Sequence, residues 1–288
     1  MEILKEPFMT TELYYYSGTG NSLHVARELQ KRLPESKIIP IVGLLKRDAV
    51  KTNAETVGIV FPIYLSSMPI PVCRFLDKAD LGSAKYVFAA ATRIGTFHIA
   101  DFNIGKLLRR TGRSLDAFFN LNMVSNSPCG LVPRFPGFDK ITNAWTGKIS
   151  PENVARLDAA VGERLSFVID TVAGRKRHFD ERSFVQQCVK LLARTFIPAR
   201  PSVKNVVPYY TDATCIGCGT CEKVCPSGRV GIVNGKPVWR KGVPCYVCFA
   251  CFNSCPQQAI LIEKRYTMKK GRYLHPGVSA DDIARQKE

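Results

Sequence analysis

The chain has 288 residues, 45% of them hydrophobic and 23% charged, with 18 Pro and 21 Gly, an ordinary globular composition that excludes disordered and fibrous classes and suits about two domains. No apolar run approaches the roughly 18 to 20 residues of a membrane helix, and acids stand at the start where a secretory leader would be basic, so an unexported, cytoplasmic protein is expected. Two quantities depart from the average, 11 Cys and a formal charge of +17.

Residues 12–16 form a short β-rich run. Ser17, Gly18, Thr19, Gly20, Asn21 and Ser22 follow it, and then a stretch whose apolar positions Leu23, Ala26, Leu29 and Leu33 fit a helix. A strand, a hydroxyl-rich glycine loop and a helix make an anion cradle, because backbone N–H groups and the helix dipole face the ligand and glycine lets the backbone come close. A dinucleotide fingerprint would have Gly where Leu23 stands and an acid at the end of the second strand, residues 38–42, which carries none. A Walker loop would have Lys and a hydroxyl residue where Asn21 and Ser22 are. Hydroxyls at Ser17, Thr19 and Ser22 with no cation suit one terminal phosphate monoester.

Further strands are expected at 55–61, 85–91 and 114–122, separated by helical stretches at 71–79 and 98–110. This alternation predicts an α/β fold, a doubly wound parallel sheet of five strands, with ligand at the carboxyl ends near the reversal of strand order. The loop at 17–22 resembles the flavodoxin loop Ser/Thr-x-Thr-Gly-Asn-Ser/Thr, which holds the FMN phosphate. The resemblance implies that Pro62, Ile63, Tyr64 and Leu65 flank the flavin on one side. It places Thr92, Arg93, Ile94, Gly95, Thr96 and Phe97 on the other, with backbone groups of Ile94, Gly95 and Thr96 at the pyrimidine edge. Phe97 is the aromatic available to stack there.

Ser150 and Pro151 read as the cap and first turn of a helix over 151–172 that resembles the last flavodoxin helix. A second amphipathic stretch, 184–196, leads through Pro198 and Pro201 to the next domain. The expected layout is a flavin domain at 1–172, a helical connection at 173–206, a cysteine-rich domain at 207–264 and a basic tail at 265–288. The tail either folds back or is disordered.

Eight of the 11 Cys lie between 215 and 255. Disulfide frameworks belong to small exported domains, so the clustering points to metal. Cys215, Cys218, Cys221 and Cys225 form a C-x2-C-x2-C-x3-C-P run, and Cys245, Cys248, Cys251 and Cys255 repeat it. Zinc sites usually pair two Cys-x-x-Cys halves and do not need thiolates so crowded. The run is the bacterial ferredoxin one, in which the fourth Cys ligates the other cluster. One 4Fe–4S cluster is therefore assigned to Cys215, Cys218, Cys221 and Cys255, and the other to Cys245, Cys248, Cys251 and Cys225. A short hairpin turning at Asn234 and Gly235 separates the runs, and Ile216, Val224, Val247 and Ala250 are expected to pack around the sulfurs. This segment resembles the small α+β two-cluster ferredoxin domain, and the whole chain resembles the flavodoxin–ferredoxin fusions of anaerobic bacteria and archaea.

The resemblance implies an electron-transfer iron–sulfur flavoprotein, with electrons passing between two 4Fe–4S clusters and FMN. The alternative is a ferredoxin-driven, FMN-dependent reductase of a small organic substrate, and a redox sensor is a third class. No Ser/His/Asp or paired-carboxylate arrangement is present, so no catalytic residue is assigned. His98 and Cys129 lie near the flavin loops but read more simply as local packing, and Cys73 and Cys188 as helix-face packing. With cofactors counted, the net charge falls to about +11. The expected partner is an acidic redox protein, a ferredoxin-type donor or a downstream reductase, with a homodimer left open. Nucleic acid is not expected, since no recognition motif accompanies the charge.

Overall fold

The computed structural model describes residues 10–95, 97–127, 148–180, 184–193, 195, 207–264, 266–269 and 271–288. β1 (Thr11–Tyr15) is buried throughout, and α1 (Asn21–Arg32) and β2 (Ser36–Pro40) follow it. After Pro40 the chain turns into the short helix α2 (Ile41–Leu44), so the second strand ends two residues earlier than the apolar run suggested. A two-residue pair, β3 (Val50–Lys51) and β5 (Ala79–Asp80), lies apart from the main sheet. β4 (Thr56–Pro62), α3 (Ile70–Lys78), β6 (Tyr86–Arg93), α4 (Ala100–Arg110) and β7 (Ala117–Asn122) complete the alternation. β4 is buried throughout and β6 at all but its last residue, as parallel strands covered on both faces should be.

All strands of the main sheet run parallel, in the order β2-β1-β4-β6-β7-β8, the flavodoxin-like arrangement. There are six strands, not five. The sixth, β8 (His178–Phe179), follows α5 (Pro151–Ala173) and pairs with β7 from Ala117 to Phe118. Two residues beside a basic run carry no alternating pattern, so nothing in the residues themselves marks this strand. α5 is capped as expected, Ser150 Oγ accepting from Asn153 N at 3.3 Å, and it packs beside α1 through a row that includes Val154, Val161, Leu165 and Val168. Cys73 is buried on α3, as expected, whereas Cys188 is exposed on α6 (Phe184–Ala193). The buried ammonium of Lys190 on α6 lies 3.1 Å from both carboxylate oxygens of Asp101 on α4, which ties the connection to the flavodoxin-like domain. The end of the expected 184–196 helix, its prolines, and Cys129 lie outside the described residues.

The cysteine-rich domain pairs β9 (Tyr209–Thr211) with β12 (Ile260–Ile262) and holds two one-turn helices, α7 (Thr220–Lys223) and α8 (Ala250–Asn253). β10 (Val230–Val233) and β11 (Lys236–Trp239) form the expected hairpin, with Asn234 and Gly235 both at positive φ in its turn.

The tail folds back over the first domain. Tyr273 Oη donates to Asn21 Oδ1 at 2.6 Å, and His275 N donates to Thr19 O at 2.9 Å. α9 (Ala280–Ala284) begins with a capping box of Ser279 and Asp282, and Asp282 also receives Arg27 of α1 at 2.6 Å. The imidazoles of His24 and His275 stack at 4.1 Å. His275 Nδ1 accepts from Gly277 N, so its proton sits on Nε2, 3.1 Å from Asp158. The tail is thus a strap over the first loop. Among the described residues, no helix is long and apolar enough to cross a membrane.

Candidate functional site

The carboxyl ends of β1 and β4 flank the point where strand order reverses, and a cleft of about 200 Å³ opens there. Ser17, Gly18, Thr19, Asn21 and Ser22 form one end of it, and Pro62, Ile63, Tyr64, Leu65 and Ser66 one wall. Thr92, Arg93 and Ile94 form the opposite wall, and the segment after β7, Val124, Ser125, Asn126 and Ser127, closes the side. Three expected residues stand off the lining: Gly20, Gly95 and Phe97, the last 42% exposed. Thr96 lies outside the described residues.

The first loop keeps its shape through its own side chains. Gly20 N donates to Ser17 Oγ at 3.0 Å, Ser22 Oγ and Thr92 Oγ1 share a proton at 2.8 Å, and Asn21 Nδ2 donates to Val124 O at 2.9 Å. Gly20 caps α1 at φ 101, a left-handed conformation, and a Cβ there would meet His275 and Val278 of the tail at 2.7 and 2.9 Å. The N-terminal turn of α1 has no acidic residue, and its dipole points at the cleft, so the loop fits a phosphate. On the facing wall, Tyr64 and Ser67 exchange backbone hydrogen bonds of 3.1 and 2.9 Å around Leu65 and Ser66, both at positive φ. Two non-glycine residues in such a turn are strained, and strain of this kind gathers at ligand sites.

The eight clustered cysteines surround two small cavities. One is lined by Cys215, Cys218, Cys221 and Cys255, the other by Cys225, Cys245, Cys248 and Cys251. Each set takes three residues of one run and the last of the other. The first set is the outer one, since Cys218 is exposed and Ile216, which lines the cavity beside it as expected, is itself 66% exposed. The second set is the inner one, with Cys225, Cys248 and Cys251 buried and Val247 and Ala250 buried beside them. Burial pushes the Cys221 thiol up to about 11 and Cys248 up to about 12, and lifts Cys251 well above the usual thiol range. Four sulfurs this crowded and dry ionise only against a strong positive charge, as iron supplies. The Nε1 of Trp239, which lines the inner cavity, is buried without a partner among the described residues. Donor set and cavity therefore suit sulfur-rich clusters.

Beyond the assigned residues, the cleft takes Ser66 and Val124 to Ser127 from the neighbouring loops, and two residues from a distant segment of the chain. Val247 and Phe249, from the inner cysteine loop, line it, and Phe249 also lines the inner cavity. A comparison of the two runs holds the sign. Gly217 and Gly219 sit at φ 69 and 75 in the first, and the matching positions in the second are Val247 and Phe249, at φ 55 and 56. The second loop repeats a glycine backbone with large side chains, a costly choice for a β-branched residue. The inner loop also touches the first loop directly. A Cβ on Gly18 would lie 2.6 Å from the Cys248 carbonyl oxygen and 2.9 Å from the Cys248 Cβ. Asn126 joins the two, donating to Cys248 O at 2.9 Å and to Tyr64 Oη at 3.0 Å.

A flavodoxin-like sheet, a cleft at its switch point and a sulfur-lined pair of cavities against that cleft define a two-part protein, a flavodoxin-like fold joined to a ferredoxin-type iron–sulfur domain. Residues 214–260 match the family described as 4Fe-4S dicluster domain. An uncharacterised ferredoxin of Methanocaldococcus jannaschii is 41% identical over 59 residues, 19% of this chain and 77% of the relative. Among solved structures, a flavodoxin from the domain Archaea aligns with 55% of this chain and 99% of its own at 16% identity and a TM-score of 0.30. Rubredoxin oxygen:oxidoreductase from Desulfovibrio gigas aligns with 54% of this chain and 37% of its own at 14% identity and a TM-score of 0.32. Through residues 214–260 the chain belongs to the ferredoxins of the 4Fe-4S dicluster type, and its N-terminal part has the flavodoxin-like strand order.

Proposed function

We propose that this chain is a cytoplasmic electron carrier that holds two 4Fe–4S clusters and one FMN. The flavin domain spans 1–172, the connection 173–206, the cluster domain 207–264 and the strap 265–288. When bound, these groups supply single-electron transfer and its conversion to two-electron delivery. The observation that carries the proposal is the shared wall: Val247 and Phe249 belong to the inner cysteine loop and line the flavin cleft. Cys225, Cys245, Cys248 and Cys251 would hold the inner cluster, and Cys215, Cys218, Cys221 and Cys255 the outer one. Ser17 to Ser22 would hold the FMN phosphate, and Tyr64, Leu65, Thr92 and Ile94 would orient the ring. Gly18, which leaves no room for a side chain, keeps phosphate loop and inner loop in contact.

The partner would dock at the outer set. Lys236 Nζ donates to Cys215 O at 2.8 Å, and Lys287 Nζ to Glu222 O at 3.2 Å, so ammonium groups rim the exposed cysteines and favour an acidic protein. Two other cations are structural. Arg272 lies over the Phe252 ring at 3.9 Å, and Arg175 pairs with Glu55 at 2.6 Å. A second reading, a reductase of a small organic substrate, is favoured by the open mouth of the cleft between Leu65 and Ile94, which are 42% and 54% exposed.

Stopped-flow reduction of the anaerobic holoprotein by an acidic ferredoxin tests both readings. The carrier reading expects flavin bleaching that slows as salt rises, with no turnover of small oxidants. Turnover of a small organic oxidant supports the reductase, and no flavin reduction by any ferredoxin removes both.

A further inference from the structure

Tyr16 follows β1 and precedes the first loop, and its side chain is fully buried. Its hydroxyl has no completed hydrogen bond among the described residues, a costly state for a buried O–H. The groups it faces are Cys248, Tyr64 and Tyr246. The Tyr64 hydroxyl accepts from Asn126 at 3.0 Å and that of Tyr246 from Arg74 at 3.2 Å, and of the three groups it is the Cys248 sulfur that stands in hydrogen-bonding relation to Tyr16. The chain positions them together, since Gly18, two residues on, is packed against the Cys248 backbone.

Each set also has donors from within the cysteine-rich domain. The outer set has Thr220 Oγ1 3.4 Å from Cys218 Sγ and Ala259 N 3.3 Å from Cys255 Sγ. The inner set has Ser227 Oγ 3.6 Å from Cys225 Sγ and Val247 N 3.4 Å from Cys245 Sγ. Tyr16 differs from these donors in coming from the flavin domain. Burial works the other way: a dry site disfavours the extra negative charge of a reduced cluster, so the inner cluster on its own would be the harder of the two to reduce.

We propose that Tyr16 donates a hydrogen bond to the iron-ligating sulfur of Cys248 and thereby raises the reduction potential of the inner cluster, offsetting its burial. The inference rests on the two-cluster reading above. One electron is taken up, no covalent bond changes, and the phenolic proton stays on oxygen.

The test is an EPR-monitored redox titration of full-length, anaerobically purified holoprotein, wild type against Tyr16→Phe, with iron, sulfide and flavin measured on both. The expected result is full iron, one cluster midpoint unchanged, and the other lowered by a factor of about ten in its reduced-to-oxidised ratio, about 59 mV for one electron. Full iron with both midpoints unmoved overturns the role of Tyr16 and leaves the two-cluster reading standing. Wild-type protein with zinc, or with a single cluster, overturns both. Should Tyr16→Phe lose iron, incorporation of 3-fluorotyrosine, a stronger donor, replaces it as the variant. The same midpoint then rises in the Tyr16 protein, and no rise overturns the proposal.

Discussion

The side-chain amide of Gln286 closes two hydrogen bonds of 2.9 Å on Ser17, accepting from its N–H and donating to its C=O across 269 residues of sequence. The last residues of the chain therefore complete the backbone of its first loop. Gln286→Ala leaves both buried groups unpaired, at about 1–3 kcal/mol. FMN affinity should fall about tenfold, the equivalent of about 1.4 kcal/mol, with iron content unchanged. Fluorescence titration of the apoflavin protein with FMN checks this, and an unaltered affinity would show the strap to be incidental to the loop.

Gly18 is a point of close contact between the domains. Its missing Cβ would collide with the Tyr64 hydroxyl and with Cys248, and backbone on the far side has little freedom to yield. Gly18→Ala should cost about 1–3 kcal/mol by overpacking and move the inner loop from the cleft. The expected readout is slower flavin reduction with eight iron still bound, by stopped flow after iron analysis. Unchanged rates would mean that the two loops need not touch.

The crossing of the last cysteines is directly testable. Cys225 lines the inner cavity although the rest of its run lines the outer one. Cys225→Ser should therefore share the EPR loss of Cys248→Ser and keep the signal that Cys218→Ser abolishes. The opposite pairing would mean that each run closes its own cluster.

His98 predicts a pH effect. It is fully buried, its Nε2 bonded to Asn120 Oδ1 at 2.9 Å and its Nδ1 accepting from Ala100 N. Burial first, then Lys190, push its pKa down to about 4 against the opposing pull of Asp101. In the unfolded chain it gains a proton near 6.5. Between these values the unfolded state binds the proton and the folded state does not, so stability rises with pH and is lost on acidification. The slope is roughly 1.4 kcal/mol per pH unit at most. Thermal unfolding at pH 7 and 5.5 should fall less in His98→Gln than in wild type, and equal falls would remove His98 from the balance.

The salt and acid behaviour, the sheet and the cysteine partition differ in how far the sequence foretold them. Parallel strands covered on both faces write themselves as apolar runs, so β4, β6 and β7 were legible, and the spacing of Cys215 to Cys255 foretold which cysteines line each of the two cavities. β8 was not legible, because His178 and Phe179 pair only where α5 delivers them. The strap was undecidable from composition, since its hold depends on single side chains, Tyr273, His275 and Gln286, finding backbone far away in sequence. Phe249 and Val247 escaped notice because a large residue in a cysteine loop looks like packing until its φ is known.

Quantitation of metal, sulfide and flavin in anaerobically purified protein tests the central claim most directly. The account predicts eight iron, eight acid-labile sulfide and one FMN for each chain. Two zinc ions with no sulfide, or a chain without flavin, would contradict it.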